Sequence, residues 1–240
     1  MKKLSALLLF LLPVAIQASV SNVELDEVDI NLTNYASLQR GARNYATYCL
    51  GCHSSKHIRY IRIAEDFGID KDKVLKEIAP EGASIYDSMV TAMNPHDAEK
   101  WFGTKAPDLS LIARSRGADW LYTYLKSFYV DENKVLGANN TVFKDVGMPN
   151  VLWQLQGIQQ ANFVQVDGKK KLDRLVITKP GKMTEQEFDQ FVTDLVNFLV
   201  YVGEPIQLER ERMGKYVLFF ILMFIAIAYL LKKEYWKDIH

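Results

Sequence analysis

The chain has 240 residues, of which 49% are hydrophobic and 24% are charged, and its 29 basic and 29 acidic side chains leave no formal net charge. This length is enough for one domain with a buried core. No basic stripe with interleaved aromatic residues occurs in the sequence, so nucleic acid is excluded as a predicted partner. Residues 19–209 carry 21 basic and 26 acidic side chains, a net charge of −5, which either steers a basic partner at low salt or only keeps the domain soluble.

The N-terminus has the pattern of a secretory signal peptide. Lys2 and Lys3 form a basic start, residues 4–16 are an almost wholly apolar run of 13 residues, and small residues lead to a cleavage position after Ala18. Such a run is too short and wrongly flanked for a stable membrane span, which favours a signal peptide. The alternative is that the segment is not cleaved and stays as an N-terminal anchor. The sequence therefore predicts a signal peptide over residues 1–18 and an exported domain over residues 19–209.

The sequence Cys-Leu-Gly-Cys-His follows at residues 49–53. Cys-x-x-Cys-His is the attachment signature of a c-type haem. The thiols of Cys49 and Cys52 can form thioether bonds to the two haem vinyl groups, and His53 can then ligate the iron. Since the chain has only two cysteines, none is left for a disulfide, and one covalently attached haem c is predicted.

Two other chemistries use a similar motif. A zinc site gains support from His57, but a zinc finger needs about a dozen residues between its cysteine pair and its histidine pair. A thioredoxin-like redox motif needs a strand before its first cysteine. Here the preceding residues recur instead at helical spacing, as shown by Leu38, Gly41, Ala42, Tyr45 and Ala46.

The middle of the exported domain is predicted to be mostly helical. Loops are expected at residues 79–82 and 93–95, and helices over residues 83–93 and 119–129.

A hairpin and a long helix complete the domain. Residues 163–166 and 172–176 flank an Asp-Gly pair at 167–168, which is a hairpin signal. A helix is predicted over residues 185–202, with a capping box of Thr184 and Glu187 at its start and a glycine and a proline after its end.

A second apolar run, residues 216–231, lies near the C-terminus and has no charge in 16 residues. As a helix it spans about 24 Å, a little short of the hydrocarbon core of a membrane, which is about 30 Å thick. Flanking lysines can extend to the lipid headgroups. We predict a charged connector at 210–215, a transmembrane anchor at 216–231 in membrane lipid and a cytoplasmic tail at 232–240, with a buried core helix as the alternative.

The second axial ligand distinguishes an electron carrier from an enzyme. With His53 alone, the open iron face suits peroxidase chemistry, whereas a methionine thioether closes that face and raises the reduction potential. Met148 is the favoured ligand, because Gly147 allows close backbone approach and Pro149 stiffens the loop.

The other candidates for this position are less favourable. Met89 and Met93 have the four-residue spacing of core packing on a helix. Met183 directly precedes a helix cap, and His57 and His96 are the non-sulfur alternatives.

Haem propionates need partners such as arginine, because an arginine fork suits a carboxylate. Arg114 and Arg116 follow Pro-Asp-Leu-Ser at residues 107–110, and Trp120 comes next. A solvated surface arginine is the alternative for each.

Taken in order, these blocks resemble the cytochrome c1 family, the haem subunit of ubiquinol–cytochrome c reductase. The matching blocks span residues 40 to 236 and include Arg40-Gly41, Cys49 to His53, Tyr60, Pro107 to Ser110, Gly147-Met148, Glu204-Pro205 and Arg212-Met213-Gly214. The resemblance implies a mainly α c-type cytochrome domain with a small β-hairpin insertion and one C-terminal transmembrane helix.

The resemblance also implies roles for individual residues. Cys49 and Cys52 carry the thioethers, and His53 and Met148 are the axial ligands. The residues expected to line the haem or bind its propionates are Tyr60, Pro107, Arg116 and Trp120. The family has two prolines where this chain has Ala106-Pro107, so one rigid residue remains on the haem wall.

The function implied by the resemblance is a one-electron relay in respiratory electron transport. A Rieske iron–sulfur protein is the donor, a soluble periplasmic cytochrome c is the acceptor, and cytochrome b is a neighbour in a dimeric complex. The haem domain is expected on the periplasmic side of the inner membrane, with no catalytic residue of its own. The alternatives are a haem subunit of a terminal oxidase, a membrane-tethered peroxidase, and a haem-free binding or redox module.

Overall fold

The computed structural model describes residues 24–166 and 168–237, so the predicted signal peptide lies outside the described residues, as does residue 167 of the predicted turn. The described helices are α1 (Tyr35–Tyr48), α2 (Tyr60–Phe67), α3 (Lys71–Glu77), α4 (Pro95–Phe102), α5 (Ile112–Arg116), α6 (Ala118–Lys126), α7 (Trp153–Gln156), α8 (Glu185–Gly203) and α9 (Gln207–Tyr235). The described strands are β1 (Ser55–Arg59), β2 (Ser88–Met89), β3 (Phe128–Val130), β4 (Ala138–Asn140), β5 (Gly157–Val166) and β6 (Lys169–Pro180). The strands form three separate antiparallel pairs, β1 with β2, β3 with β4 and β5 with β6. The predicted mainly α fold with a small hairpin is confirmed.

The contact between α1 and α8 forms the centre of the core. A Cβ added to Gly41 would lie 2.0 Å from the carbonyl oxygen of Asp194 and 2.7 Å from Cβ of Phe198, so the two helices touch through backbone. Tyr45 and Phe198 are fully buried on either side of this contact, with ring centroids 5.6 Å apart. Such close packing fixes the C-terminal end of α1, where the cysteine motif begins.

A buried carboxylate joins the same two helices. The side chain of Asp194 on α8 is 3% exposed, and it accepts hydrogen bonds from the Ser37 hydroxyl at 2.7 Å and from Nε of Arg40 at 2.6 Å. A second Arg40 nitrogen donates to it at 2.9 Å. Because a buried charge is costly unless it is paired and hydrogen-bonded, this network ties α1 to α8 in one register.

The helix predicted over 185–202 is confirmed as α8. Thr184 caps it by accepting from the Glu187 backbone N–H, and the Glu187 side chain accepts from the Thr184 N–H in return. The helix ends at Gly203, two residues before Pro205, which cannot continue it.

The helix predicted over residues 83–93 is wrong. Ser84 and Asp87 close a turn instead, with the Ser84 N–H donating to the Asp87 carboxylate at 2.8 Å. Met89 then pairs with Ser55 as strand β2. Met89 is fully buried, and Met93 lies in the loop that follows. The two methionines therefore do not share a helix face.

Two further boundaries differ from the prediction. The helix predicted over 119–129 ends at Lys126, since the Ser127 hydroxyl donates back to the Thr123 carbonyl and Phe128 begins strand β3. Pro95, predicted in a loop, begins α4, because Asn94 caps that helix by accepting from the His96 N–H at 2.9 Å and proline suits the first helical position.

The predicted hairpin is present and longer than expected, as β5 and β6. Its base depends on two glycines. Gly157 has φ +106°, and a Cβ on Gly181 would lie 2.1 Å from the carbonyl oxygen of Leu155. A side chain at Gly181 would push the hairpin away from α7.

The C-terminal helix α9 is continuous from Gln207 to Tyr235, so the predicted connector at 210–215 is part of the same helix as the apolar run. It is about 44 Å long at 1.5 Å per residue, long and apolar enough to cross a membrane, and none of its apolar window is buried. That exposure does not fit a buried core helix. Glu204 joins α9 to the domain by accepting from Arg114 of α5 and from Arg210 of α9.

Candidate functional site

The cysteine motif occupies the turn that follows α1. The Cys49 N–H donates to the Tyr45 carbonyl at 2.9 Å, and the His53 N–H donates to the Cys49 carbonyl at 2.8 Å. Two thiols and an imidazole therefore lie within one additional turn of chain. Both cysteines are free, with Cys49 buried and Cys52 half-buried. Burial raises the pKa of Cys49 to about 12, and the neighbouring Cys52 adds to the shift.

His53 is oriented by a backbone carbonyl. Its Nδ1 lies 2.8 Å from the carbonyl oxygen of Pro107. Because a carbonyl only accepts, Nδ1 carries the proton of this hydrogen bond, and Nε2 is left with a free lone pair. Burial lowers the pKa of His53, against the opposing effect of the Pro107 bond. The residue is therefore a neutral imidazole of the tautomer that ligates a metal through Nε2.

A hydrogen-bond network also fixes the backbone of the cysteine motif. The Tyr45 hydroxyl donates to the His53 carbonyl at 2.8 Å, and the Ser55 hydroxyl donates to the Tyr45 hydroxyl at 2.9 Å. In addition, the Thr91 hydroxyl donates to the Gly51 carbonyl at 2.8 Å. The segment carrying Pro107 is attached as well, since the Leu109 N–H donates to the Ser54 carbonyl at 2.7 Å.

Met148 lies in the loop after β4, where its sulfur accepts a hydrogen bond from the Tyr124 hydroxyl at 3.3 Å. The preceding Gly147 approaches residues 102–104 closely, and a Cβ there would lie 2.7 Å from Cγ2 of Thr104. Thr104 is only three residues from Pro107, a reach of about 11 Å at most. One short segment therefore contacts both the His53 ring and the Met148 loop.

Arg116 lies against two aromatic rings beside this loop. Its guanidinium carbon is 5.1 Å from the Trp120 ring and 5.8 Å from the Phe143 ring. In the part of the chain that the structure describes, Arg116 forms no ion pair, whereas Arg114 is paired with Glu204. The Arg116 guanidinium is thus held against aromatic rings and is free to bind a carboxylate.

Trp120 links this cation to the Met148 loop. Its ring stacks on Tyr124 with centroids 4.9 Å apart and planes at 9°, and Tyr124 in turn reaches Met148. Four of the predicted site residues therefore form two contacting pairs, His53 with Pro107 and Arg116 with Trp120. The Thr104 segment connects the first pair to the Met148 loop. Tyr124 connects the second pair to Met148.

Tyr60 is the predicted site residue that these contacts do not include. It is 1% exposed on α2, and among the described residues its hydroxyl has no hydrogen-bond partner. Burial raises its pKa to about 12. Its role toward a cofactor stays a prediction.

The alternative ligands lie in different places. Met183 packs against the hydrophobic core, and His57 and His96 are exposed. Met93 is the exception, because it lines a cleft of about 250 Å³ together with Cys52. It is the sulfur alternative that a test of Met148 has to include. Within the described ranges, no group of three or more His, Cys, Asp or Glu side chains could hold a metal ion, so the zinc alternative gains no support.

Sequence reasoning missed Tyr124, Thr91 and the asparagines that shape the Met148 loop. Tyr124 lies four residues after Trp120, so it shares a helix face with that residue. Asn139 and Asn140 are residue types that close turns through their side chains. These signals are present in the sequence, but they predict a role in the site only when the Met148 loop is known to contact α6.

The donor set fits a c-type haem. Among the described residues, it combines two unpaired thiols, a neutral imidazole with Nε2 free, a thioether in a fixed loop and a cation without a carboxylate partner. These are the groups that covalent attachment, axial ligation and a propionate require.

Comparisons with known proteins point the same way. The model of the "Cytochrome C1 family" matches residues 29–239. The cytochrome c1 of Allochromatium vinosum is 46% identical over 242 residues, which cover 100% of this chain and 99% of that protein. The ammonia monooxygenase gamma subunit of Nitrosomonas europaea is 44% identical over 240 residues, with the same shares. The cytochrome b/c1 of Bradyrhizobium diazoefficiens is 24% identical over 85% of this chain and 33% of that protein. The resemblance of the sequence is confirmed, and this chain belongs to the cytochrome c1 family.

Proposed function

We propose that this chain is the membrane-anchored haem subunit of a quinol–cytochrome c reductase complex and relays single electrons from a Rieske iron–sulfur protein to a periplasmic cytochrome c. The observation that carries the proposal is the pair of fixed axial candidates, His53 on the Pro107 carbonyl and Met148 on the Tyr124 hydroxyl. Two fixed ligands favour outer-sphere electron transfer over binding of a substrate to iron.

Each residue then has a defined task. Cys49 and Cys52 form the thioethers of a single haem, His53 provides Nε2, and Met148 provides its sulfur. The bound haem supplies the one-electron couple of its iron. Arg116, held on Trp120, receives a propionate, and Pro107 orients the imidazole and forms the haem wall. This subunit needs no catalytic acid, base or nucleophile.

The membrane helix and the charge of the domain support the partners. We assign α9 as a single-pass anchor in the inner membrane, with the haem domain on the periplasmic side and the signal peptide removed. Cytochrome b is expected in the same complex, which is dimeric, and the relative named cytochrome b/c1 supports this partner. The net charge of −5 on residues 19–209 favours a basic soluble cytochrome c through steering at low salt.

The ligands are tested by visible spectra of membranes that contain the wild type, Met148→Leu or Met93→Leu, in oxidised and reduced forms. We expect the weak sulfur-to-iron band of the oxidised wild type to disappear in Met148→Leu and to remain in Met93→Leu. Loss of the band only in Met93→Leu would move the ligand to the Cys52 side of the site. A high-spin wild-type spectrum would favour the peroxidase instead.

The partners are tested by purifying the full-length chain from membranes in mild detergent. The expected result is co-purification of a b-type cytochrome and a Rieske protein. Isolation with monooxygenase subunits and without a b-type cytochrome would contradict the proposed complex, even if the haem ligands were correct.

A further inference from the structure

The hydroxyl of Tyr124 donates to the Met148 sulfur at 3.3 Å, and two aromatic neighbours hold the ring that carries it. One face stacks on Trp120 with centroids 4.9 Å apart, and Phe128 makes an edge contact at 5.2 Å. A ring held in this way gives its hydroxyl one position. The bond to sulfur is therefore a fixed part of the site.

The backbone of Tyr124 holds the same loop a second time. Asn140, which is 1% exposed, donates from its side-chain amide to the Tyr124 carbonyl at 2.8 Å. The amide oxygen of Asn140 accepts from the N–H groups of Val142 and Phe143 at 2.9 and 3.1 Å. The start of the Met148 loop and the Met148 side chain are thus both bound to one residue of α6.

A hydrogen bond to a thioether changes how that sulfur binds a metal. The sulfur is a weak acceptor with two lone pairs, so one can bind iron while the other accepts the Tyr124 proton. The hydrogen bond withdraws electron density and makes the sulfur a poorer donor. Because the oxidised iron depends more on electron donation than the reduced iron, such a bond favours the reduced form, and hydrogen bonding around a ligand is a known determinant of haem potential.

We propose that Tyr124 is a positioning residue which fixes the Met148 sulfur and raises the reduction potential of the bound haem. This inference rests on the proposed function, in particular on Met148 as the axial ligand. Tyr124 does not touch a substrate, and its effect is exerted through the sulfur.

The test is a redox titration of the full-length chain in its membrane complex, with wild type compared with Tyr124→Phe. The variant keeps the stacked ring and loses only the hydroxyl. We expect the sulfur-to-iron band to remain and the ratio of reduced to oxidised haem at fixed potential to fall about threefold, a fraction of a typical hydrogen bond. This corresponds to a potential lower by about 28 mV, at 59 mV per tenfold for one electron.

Tyr122→Phe is the matched control. It removes a hydroxyl from the same helix, but that hydroxyl accepts from Lys126 at 3.1 Å and does not contact Met148. Its potential is expected to equal that of the wild type. A potential in Tyr124→Phe that matches the Tyr122→Phe control would overturn the inference.

A second measurement does not depend on a variant that folds. In the wild type, exchange of the hydroxyl proton for deuterium is expected to shift the iron–sulfur stretching vibration in the resonance Raman spectrum, and no shift would overturn the inference. The Met148→Leu spectrum distinguishes a failure of the ligand assignment from a failure of the role proposed for Tyr124. If the band survives in Met148→Leu, the ligand assignment itself has failed. If that band is lost while Tyr124→Phe keeps the wild-type potential, only the role of Tyr124 is refuted.

Discussion

Replacement of Gly41 by alanine tests the contact on which the site depends. The new Cβ would lie 2.0 Å from the Asp194 carbonyl oxygen, whereas an ordinary contact is at least 3.4 Å, so α1 and α8 would have to separate by about 1.4 Å. The obstacle is backbone and cannot rotate away. Overpacking costs about 1–3 kcal/mol, and the upper end applies here. Alanine recovers about 1 kcal/mol of helix propensity, which leaves a net loss of about 2 kcal/mol.

The assay is thermal unfolding of the full-length protein in detergent, followed by near-ultraviolet circular dichroism. For a chain of this size, about 2 kcal/mol lowers Tm by about 4–8 °C. Gly214→Ala is the matched control, since it makes the same change inside α9, where the added Cβ has no atom within 4 Å apart from its chain neighbours and the nearby backbone of its own helix. If Gly41→Ala and Gly214→Ala melted at the same temperature, the close contact between α1 and α8 would be refuted.

Three further predictions concern charge and capping. Arg116→Gln should lower the haem potential, because a cation near the haem disfavours the oxidised iron, while Arg114→Gln should leave the potential unchanged, and redox titration distinguishes them. The hydrogen bond from Arg210 lowers the pKa of Glu204, with Arg114 adding to the effect. This ion pair should therefore stabilise the fold above the unfolded pKa of about 4.3 and lose its effect as the pH falls through the lower folded pKa. The Tm difference between wild type and Glu204→Gln should vanish at acid pH, and a constant difference would contradict this. Thr184→Ala should cost about 1 kcal/mol and lower Tm by about 2–4 °C, with no change in the haem spectrum.

Local patterns predicted the elements whose signals lie within one segment. The capping box of α8, the hairpin and the apolar α9 were predictable because each depends on neighbours in sequence. The helix over 83–93 failed because its residues gain more from the Ser84–Asp87 turn and from pairing with Ser55, a partner more than thirty residues away.

The same limit applies to the candidate site. Spacing alone identified the motif of Cys49, Cys52 and His53, and turn chemistry favoured Met148. The Pro107 carbonyl, the Tyr124 hydroxyl and the contact of Gly147 with Thr104 depend on chain segments that meet only after folding. The resemblance already pointed to Arg116 rather than Arg114, and the position of Glu204 adds a physical reason, because Arg114 is the arginine that is already paired.

The segment from Thr104 to Pro107 has a consequence for electron transfer. Since one end of the segment touches the Met148 loop and the other end holds the His53 ring, a displacement of the segment is expected to move the two proposed ligands together. The separation of the ligands then changes less than either position does. A site whose metal–ligand distances resist change rearranges little when an electron arrives or leaves, and preorganisation of this kind lowers the barrier to each transfer.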